Sequence, residues 1–111
     1  MPFKNKISAN IGLVDTATTI TDTVTAGYMH TIIGLSLANT GNNNITVSTK
    51  LVKSGGTSVY LIKDATVLPG GALVVVGGDQ KVVLETGDSL IAWSSTSNTC
   101  DVALSYLSGN N

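Results

Sequence analysis

The residues that could act as a nucleophile, a base or a metal ligand are scattered singly along this sequence. His30 is the only histidine and Cys100 the only cysteine. A serine becomes a nucleophile when a base lies beside it, and no serine here stands in a G-x-S-x-G elbow. One cysteine excludes a disulfide within these 111 residues and a site with several cysteine ligands. We therefore predict a structural strand position for His30 and a core position for Cys100.

Carboxylates are the next source of chemistry, and most of them lie in turn sequences. Those considered for an acid-base pair are Asp64, Asp79, Glu85, Asp88 and Asp101. Aspartate favours turns because it bonds nearby backbone N–H groups, which explains these positions without catalysis. Residues 77–79 and 85–88 could offer oxygen ligands to calcium, but they lack the alternating aspartates of a strong motif. We predict no catalytic residue, no cofactor and no metal, and hence a protein that is not an enzyme.

The charge inventory argues against an anionic partner. Six lysines oppose seven acidic residues, the formal net charge is -1, and arginine is absent. Arginine is the usual residue for bidentate phosphate recognition, and a balanced chain has no net field to steer it onto a polyanion. The glycine pairs at 55–56, 70–71 and 77–78 lack the following helix and lysine of a phosphate loop. We predict no nucleic-acid partner.

Aromatic side chains decide whether a sugar-binding site is plausible, since the apolar side of a pyranose packs on an exposed ring. The aromatic residues are Phe3, Tyr28, Tyr60, Trp93 and Tyr106. Alternation along 89–94 predicts that Trp93 shares a face with Ser89 and Ile91, and that Leu90 and Ala92 take the other face. We predict that Trp93 fills the core. A carbohydrate-binding protein would need it exposed instead.

The elements that must position these residues are short strands. Valine, isoleucine and threonine supply 35 of the 111 residues, which favours pleated sheets over helices. Clusters of Gly, Asn and Asp recur about every ten residues. The sequence predicts an all-β fold in one domain, residues 1–111: an antiparallel β-sandwich or jelly roll of about eight to ten short strands. The termini, about 1–5 and 108–111, are expected to be flexible.

Three segments carry specific expectations. Residues 6–14 alternate apolar and polar side chains, which predicts a half-buried strand. Residues 28–39 predict the longest apolar strand, and the Asn- and Gly-rich turn at 39–44 predicts a hairpin after it. The residues of that strand predicted to share one face are Thr31, Ile33, Leu35 and Leu37.

The stretch 72–76 is apolar at every position, so it predicts a strand covered on both sides, either within the domain or by another copy of the chain. The candidate interface residues are Leu73, Val74, Val75 and Val76. This is also the longest uninterrupted apolar run, far short of the roughly 20 residues that span a bilayer. The N-terminal residues lack the apolar core of a signal peptide. We expect no membrane segment and no such signal.

Several stretches together resemble the small all-β virion structural proteins of tailed bacteriophages. They are IIGLSLANT (32–40), NITVSTKL (44–51), YLIKDATVLPGGALVVVGGDQKVVLETGDSL (60–90) and VALSYL (102–107). The shared order is an Asn turn after a strand, a Lys-Asp-Ala to Pro-Gly-Gly step, a Gly-Gly-Asp hairpin and a Gly-Asp-Ser turn. Capsid decoration or cement proteins and neck or tail components are the kinds of virion protein resembled.

The resemblance implies a non-enzymatic role in the virion, after assembly in the host cytoplasm. The first expectation is a decoration or cement protein that binds and stabilises the head shell. Its partners would be its own copies in a homo-oligomer, with a trimer as one option, and the major capsid protein or other virion proteins. The alternative is a neck, tail or fibre component that acts as a carbohydrate- or receptor-binding module, with loops such as 39–44, 53–56 and 95–99 facing outward.

Overall fold

A computed structural model describes residues 3–77 and 79–110, with the backbone alone for Asn110. Within this range the chain forms nine strands and one short 3₁₀ turn, Val14–Thr16. The strands are β1 Phe3–Ser8, β2 Thr18–Thr19, β3 Tyr28–Asn39, β4 Ile45–Val52, β5 Ser58–Val67, β6 Ala72–Val76, β7 Val82–Leu84, β8 Ser89–Ser94 and β9 Cys100–Asn110. The predicted all-β class is confirmed.

The strands form two antiparallel sheets. Sheet I has the order β1-β9-β3-β6, with β7 also paired to β3, and sheet II has the order β2-β8-β4-β5. β6 pairs with Leu35 to Ala38 and β7 with His30 to Ile32, so they lie end to end along one edge of β3. If β6 and β7 are counted as one interrupted strand, each sheet has four strands. In sheet I the first strand of the chain, β1, lies beside the last, β9. This order is that of a jelly roll.

The core lies between the sheets and follows the period of two that strands impose. On β8, Leu90 and Ala92 are fully buried. Facing them from sheet I are Ile32, Leu35 and Leu37 on β3 and Val102, Leu104 and Tyr106 on β9. Cys100 also belongs to this core, as predicted.

A β-bulge changes the predicted face of β3. Ile32 pairs with Tyr106 and Gly34 with Ser105, so Ile33 is an extra residue between successive pairs. A bulge shifts the alternation by one position, and Ile32 and Leu35 therefore both face the core. The prediction is right for Leu35 and Leu37 but wrong for Thr31 and Ile33, which are only half-buried.

The turn at residues 40–44 does not close a hairpin, so that prediction is wrong. β3 belongs to sheet I and β4 to sheet II, and the turn crosses between them. The buried Asn39 holds this crossing: its Nδ2 donates to the carbonyl oxygens of Asn43 (2.8 Å) and Val67 (3.0 Å), and its Oδ1 accepts from the Gly41 N–H (2.9 Å). A similar correction applies to the Gly-Gly-Asp segment, because β6 and β7 pair with β3 rather than with each other.

Residues 3–5 lie in β1 and residues 108–110 lie in β9, both strands of sheet I, while the expected flexibility of the termini stays a prediction. Residues 1, 2 and 111 lie outside the described residues. The predicted strand at 6–14 is also displaced: β1 begins at Phe3 and ends at Ser8. Ile7 is 75% exposed, whereas Ile11 enters the core after the strand has ended.

Candidate interaction surfaces

The four predicted interface residues occupy different environments on β6. Val76 is buried in the core, and Leu73 and Val75 pack partly against it. Val74 is 66% exposed on the outer side of sheet I. A side chain that packs in the core has little surface to offer a partner. Of the four predicted interface residues, Val74 is therefore the one best placed to contact a partner.

Two rows of side chains cross the outside of sheet I, and Val74 lies at one end of the first row. In the first row Ile7 pairs with Ala103, Ala103 with Ser36, and Ser36 with Val74. In the second, Phe3 pairs with Leu107, Leu107 with Thr31, and Thr31 with Val83. We call these eight residues the apolar face. Its members at the ends of the rows are large and exposed, and none of the eight is charged.

A depression lies beside the first row of the apolar face, on the side of Ala38 and Asp101. Small side chains at Ser36, Ala38 and Ala103, with Ile7 beside them, line this depression, which has a volume of about 250 Å³ and is almost entirely apolar. The nearest charged side chain in that depression, Asp101, accepts a hydrogen bond from the Asn10 N–H (2.9 Å). A shallow apolar surface suits protein contact better than small-molecule chemistry.

Trp93 does not fill the core, and that prediction is wrong. The alternation along β8 was assigned correctly, but its phase is the opposite: Leu90 and Ala92 face inward, and Ile91 and Trp93 are half-buried on the outside of sheet II. Trp93 meets the Tyr60 ring edge to face, with ring centroids 5.9 Å apart. No sequence pattern predicts that Tyr60, one of the five aromatic residues and 42% exposed, lies beside Trp93.

Two lysines surround Tyr60. Lys50 is its antiparallel partner on β4, and the Lys50 Nζ lies 4.7 Å from the ring centroid. The Lys63 Nζ lies 5.4 Å from the same centroid. Cations over an aromatic face are attracted by the ring quadrupole. These contacts restrict Tyr60 and, through it, one side of Trp93.

A groove of about 320 Å³ borders Trp93. Its lining residues are Leu13, Val14, Asp15, Thr46, Asp64, Trp93, Ser94 and Ser95; we call it the Trp93 groove. Asp64 enters it from a bulge in β5, where Lys63 and Asp64 together stand opposite Ser48. The Asp64 N–H donates to the Ser48 Oγ (2.9 Å), and that hydroxyl donates to the Asp64 Oδ1 (3.3 Å). Ser48 is buried, so it fixes this carboxylate.

The only histidine lies at one end of the sandwich. His30 is buried on β3 and stacks on Tyr106, with ring centroids 4.5 Å apart. The Tyr106 hydroxyl donates to Asp22 Oδ2, and the Lys6 Nζ lies 3.4 Å from Asp22 Oδ1. A cavity of about 430 Å³ opens over this cluster. No serine or cysteine hydrogen-bonds to His30 in the described part of the chain, so a nucleophile-base pair is not formed there.

Burial and this hydrogen bond shift three pKa values in the cluster. Burial lowers the pKa of His30, opposed by the charge of Asp22. The Tyr106 hydroxyl lowers the pKa of Asp22, helped by Lys6. Burial, together with the Asp22 carboxylate, raises the pKa of Tyr106 to about 12. The folded chain thus favours neutral His30, ionised Asp22 and protonated Tyr106.

Replacing Tyr106 with phenylalanine is expected to change the alkaline end of the pH-stability profile. Folding retains the Tyr106 proton up to about pH 12, whereas an unfolded tyrosine loses it near pH 10. The stability this group contributes is present below pH 10 and declines between the two values. In Tyr106→Phe that part of the decline disappears. Near neutral pH the free energy of unfolding is expected to be about 1 to 2 kcal/mol lower than in the wild type. Urea titrations from pH 7 to 11 measure the loss near neutral pH and the alkaline decline. If stability falls with alkaline pH as steeply in Tyr106→Phe as in the wild type, the decline does not come from Tyr106.

The remaining chemical groups serve structure. Asp88 is buried and accepts from the Lys53 Nζ (2.7 Å) and from the backbone N–H groups of Glu85 and Ser54. Burial raises the pKa of the Cys100 thiol to about 11, which leaves it a poor nucleophile. Among residues 3–77 and 79–110, no three His, Cys, Asp or Glu side chains gather into a group that could hold a metal. Of the loop carboxylates considered for calcium, Glu85 and Asp88 both contact the Lys53 Nζ.

Neither known protein families nor curated proteins provide a match to this chain. Across the described residues, no helix has the length and apolar character needed to cross a membrane. The fold itself defines the class: a jelly-roll domain whose sheet I carries two uncharged rows of side chains on its outer side, with Asp101 beside them, and whose sheet II carries an aromatic pair on its outer side. Jelly rolls occur in capsid and lectin domains alike, and the fold alone does not choose between them.

Proposed function

We propose that this chain is a non-enzymatic virion structural protein of a tailed bacteriophage, most consistent with a capsid decoration or cement protein. The observation that carries the proposal is the apolar face. Eight uncharged residues form two rows across sheet I, and four of them, Phe3, Ile7, Val74 and Val83, are large apolar side chains between 48% and 75% exposed. The row between them contains Asn5, Ser105 and Gly34, which are also uncharged. Large apolar side chains gathered on one outer face of a domain mark an interaction site.

A second copy of the same chain is the occupant we assign to this face. The molecule measures 43 and 27 Å along its two longer axes. A whole broad side of such a molecule offers on the order of 1,000 Å², so a standard interface, to which one partner contributes roughly 800 Å², would extend beyond the eight residues of the apolar face. An uncharged surface can meet its own copy without burying like charges, and the formal net charge of -1 keeps repulsion between crowded copies low.

The expected function is to bind other copies of the chain and a virion protein. Copies associate through the apolar face, and the oligomer docks on the major capsid protein or another virion protein, where buried area stabilises the shell. The resemblance to phage virion proteins, the uncharged face and the dispersed catalytic groups support this. Copy number in purified particles tests the location: hundreds of copies favour a shell lattice, whereas about three to twelve favour a neck, tail or fibre position.

The carboxylate substitutions Val74→Asp and Ile7→Asp, at the two ends of one row, test the interface. An unpaired carboxylate there would have to lose its water on association, so we expect the concentration for half-association to rise at least about tenfold. Val59→Asp is the matched control, since Val59 is 55% exposed on β5 of the other sheet. Sedimentation of folded variants gives the result.

Salt dependence provides a second measurement. Raising salt from about 0.05 to 0.5 M shortens the Debye length but leaves apolar burial intact, so association should persist. A wild-type chain that stays monomeric across micromolar concentrations contradicts self-association. Equal association of Val74→Asp, Ile7→Asp and wild type contradicts the choice of face.

A further inference from the structure

We propose that the Trp93 groove on the outside of sheet II binds a neutral oligosaccharide. The groove is on the opposite sheet from the apolar face, and the inference does not depend on the proposed role in the virion. Its components come from four places in the chain: the 3₁₀ turn Val14–Thr16, strand β4, strand β8 and the bulge of β5. Only the folded sandwich brings them together.

The aromatic platform is Trp93. Indole is the largest apolar ring a side chain offers, and a pyranose can pack its C–H side against it. Tyr60 meets Trp93 edge to face at 5.9 Å but does not line the groove, so it acts as a positioning residue beside the ring. Leu13 and Val14, both exposed, add an apolar wall. The groove thus combines a ring surface with a bounded space of about 320 Å³.

The polar groups of the groove suit hydroxyl donors. Asp15 and Asp64 are acceptors, and a carboxylate can accept from two neighbouring sugar hydroxyls. Asp64 is held by the buried Ser48, and its φ of 50° is a backbone conformation that non-glycine residues rarely adopt. Backbone strain of this kind persists where the surroundings enforce it. Asp64 is therefore an acceptor whose orientation is set before any ligand arrives.

The charges around the groove select the class of sugar. Two carboxylates line it, whereas Lys50 and Lys63 lie over the Tyr60 ring. An anionic sugar in the groove would face Asp15 and Asp64 at close range, which disfavours sialylated or sulfated glycans. The ligand class is a neutral oligosaccharide built from hexoses or N-acetylhexosamines.

Intrinsic fluorescence offers a direct test because Trp93 is the only tryptophan. The probes are neutral oligosaccharides of glucose, galactose, mannose and N-acetylglucosamine, each titrated to about 10 mM. At least one is expected to shift or quench the Trp93 emission and to be retained on an immobilised array. Sialylated and sulfated versions are expected to bind at least about tenfold more weakly.

Variants locate the binding. Trp93→Ala and Asp64→Asn should each weaken retention of the neutral probe on the array at least tenfold. Tyr28→Ala and Asp79→Asn are matched controls: Tyr28 has the same 42% exposure as Tyr60 but lies on β3, and Asp79 is exposed in the turn before β7. Far-ultraviolet circular dichroism confirms that each variant is folded. Tyr60→Ala should weaken binding less than Trp93→Ala.

Three results would overturn the site. They are no response to any neutral probe, a preference for the acidic versions, and retention by folded Trp93→Ala equal to that of wild type. None of them bears on the apolar face, whose variants are measured by sedimentation. Conversely, Val74→Asp should bind sugar as wild type does.

Discussion

Asn39→Leu is expected to lower the free energy of unfolding by about 3 to 5 kcal/mol, the largest loss expected of any variant described in this article. Asn39 is 2% exposed, and its amide bonds the carbonyl oxygens of Asn43 and Val67 and the N–H of Gly41. Leucine has a similar volume but no polar atom. It would leave three backbone groups near the core without these partners.

The position of Asn39 makes this loss global. Its own backbone N–H donates to the Gly71 carbonyl, and its carbonyl accepts from the Gly70 N–H. One residue therefore fastens two of the connections that pass between the sheets, 40–44 and 68–71. Urea unfolding followed by circular dichroism measures the cost.

Two comparisons isolate the amide. Asn43→Ala changes a neighbouring exposed asparagine, of which the contact uses only the backbone carbonyl, and is expected to cost less than about 0.5 kcal/mol. Asn39→Asp keeps the acceptor for Gly41 but turns an oxygen toward two carbonyl oxygens. The stability that Asn39→Asp loses relative to wild type should become smaller as the pH falls from 7 toward 4, because protonation of the new carboxylate restores a hydrogen-bond donor. If Asn39→Leu loses no more stability than Asn43→Ala, the role assigned to the Asn39 amide is refuted.

Asp88→Ala is expected to cost about 2 to 3 kcal/mol. The Asp88 carboxylate is 3% exposed and receives the backbone N–H groups of Glu85 (3.0 Å) and Ser54 (3.2 Å) in addition to the Lys53 Nζ. It ties the turn after β4 to the turn before β8. The fit is tight there, since a Cβ added at Gly87 would lie 2.6 Å from the Ser54 Cβ.

The pH dependence of the same variant provides a further check. Burial opposes ionisation of Asp88, but the hydrogen bonds from Lys53, Glu85 and Ser54 outweigh it, and its pKa is lowered below the ordinary 3.8. Its stabilising contribution is complete above that value and is lost as the pH falls through the lowered pKa. In Asp88→Ala this acid-range loss should be absent.

Glu85→Ala is the control for Asp88→Ala. Glu85 also contacts the Lys53 Nζ, at 3.0 Å, but its side chain is 69% exposed. Exposed ion pairs contribute little, so this variant should cost well under 1 kcal/mol. Equal losses for the two variants would show that the ion pair, rather than the backbone bonds of Asp88, supplies the stability.

The two candidate surfaces lie on opposite sides of the sandwich. The apolar face belongs to sheet I, and the Trp93 groove belongs to sheet II. A copy packed through sheet I would keep its groove accessible to solvent. The two proposals are therefore compatible in one particle, and the variants that test them share no residue.

The sequence by itself determined the fold class and most of the strand positions. β-branched content and regular turn clusters are local properties. Period-two alternation correctly located strands such as β3 and β8, and the uninterrupted apolar run 72–76 correctly located β6. The Asn-rich turn and the strands on either side of it were located correctly, although these two strands do not pair with each other.

Tertiary structure decided which side of each strand faces the core. Alternation along β8 fits either phase; Leu90 and Ala92 turn inward because β8 pairs with Val47 and Thr49 of β4, whose buried faces share that side. The bulge at Ile33 reverses the phase of half of β3, and the bulge at Lys63 and Asp64 directs a carboxylate beside Trp93. Such bulges depend on the partner strand as much as on local sequence. The apolar face and the Trp93 groove each join strands distant along the chain, so no local pattern contains them.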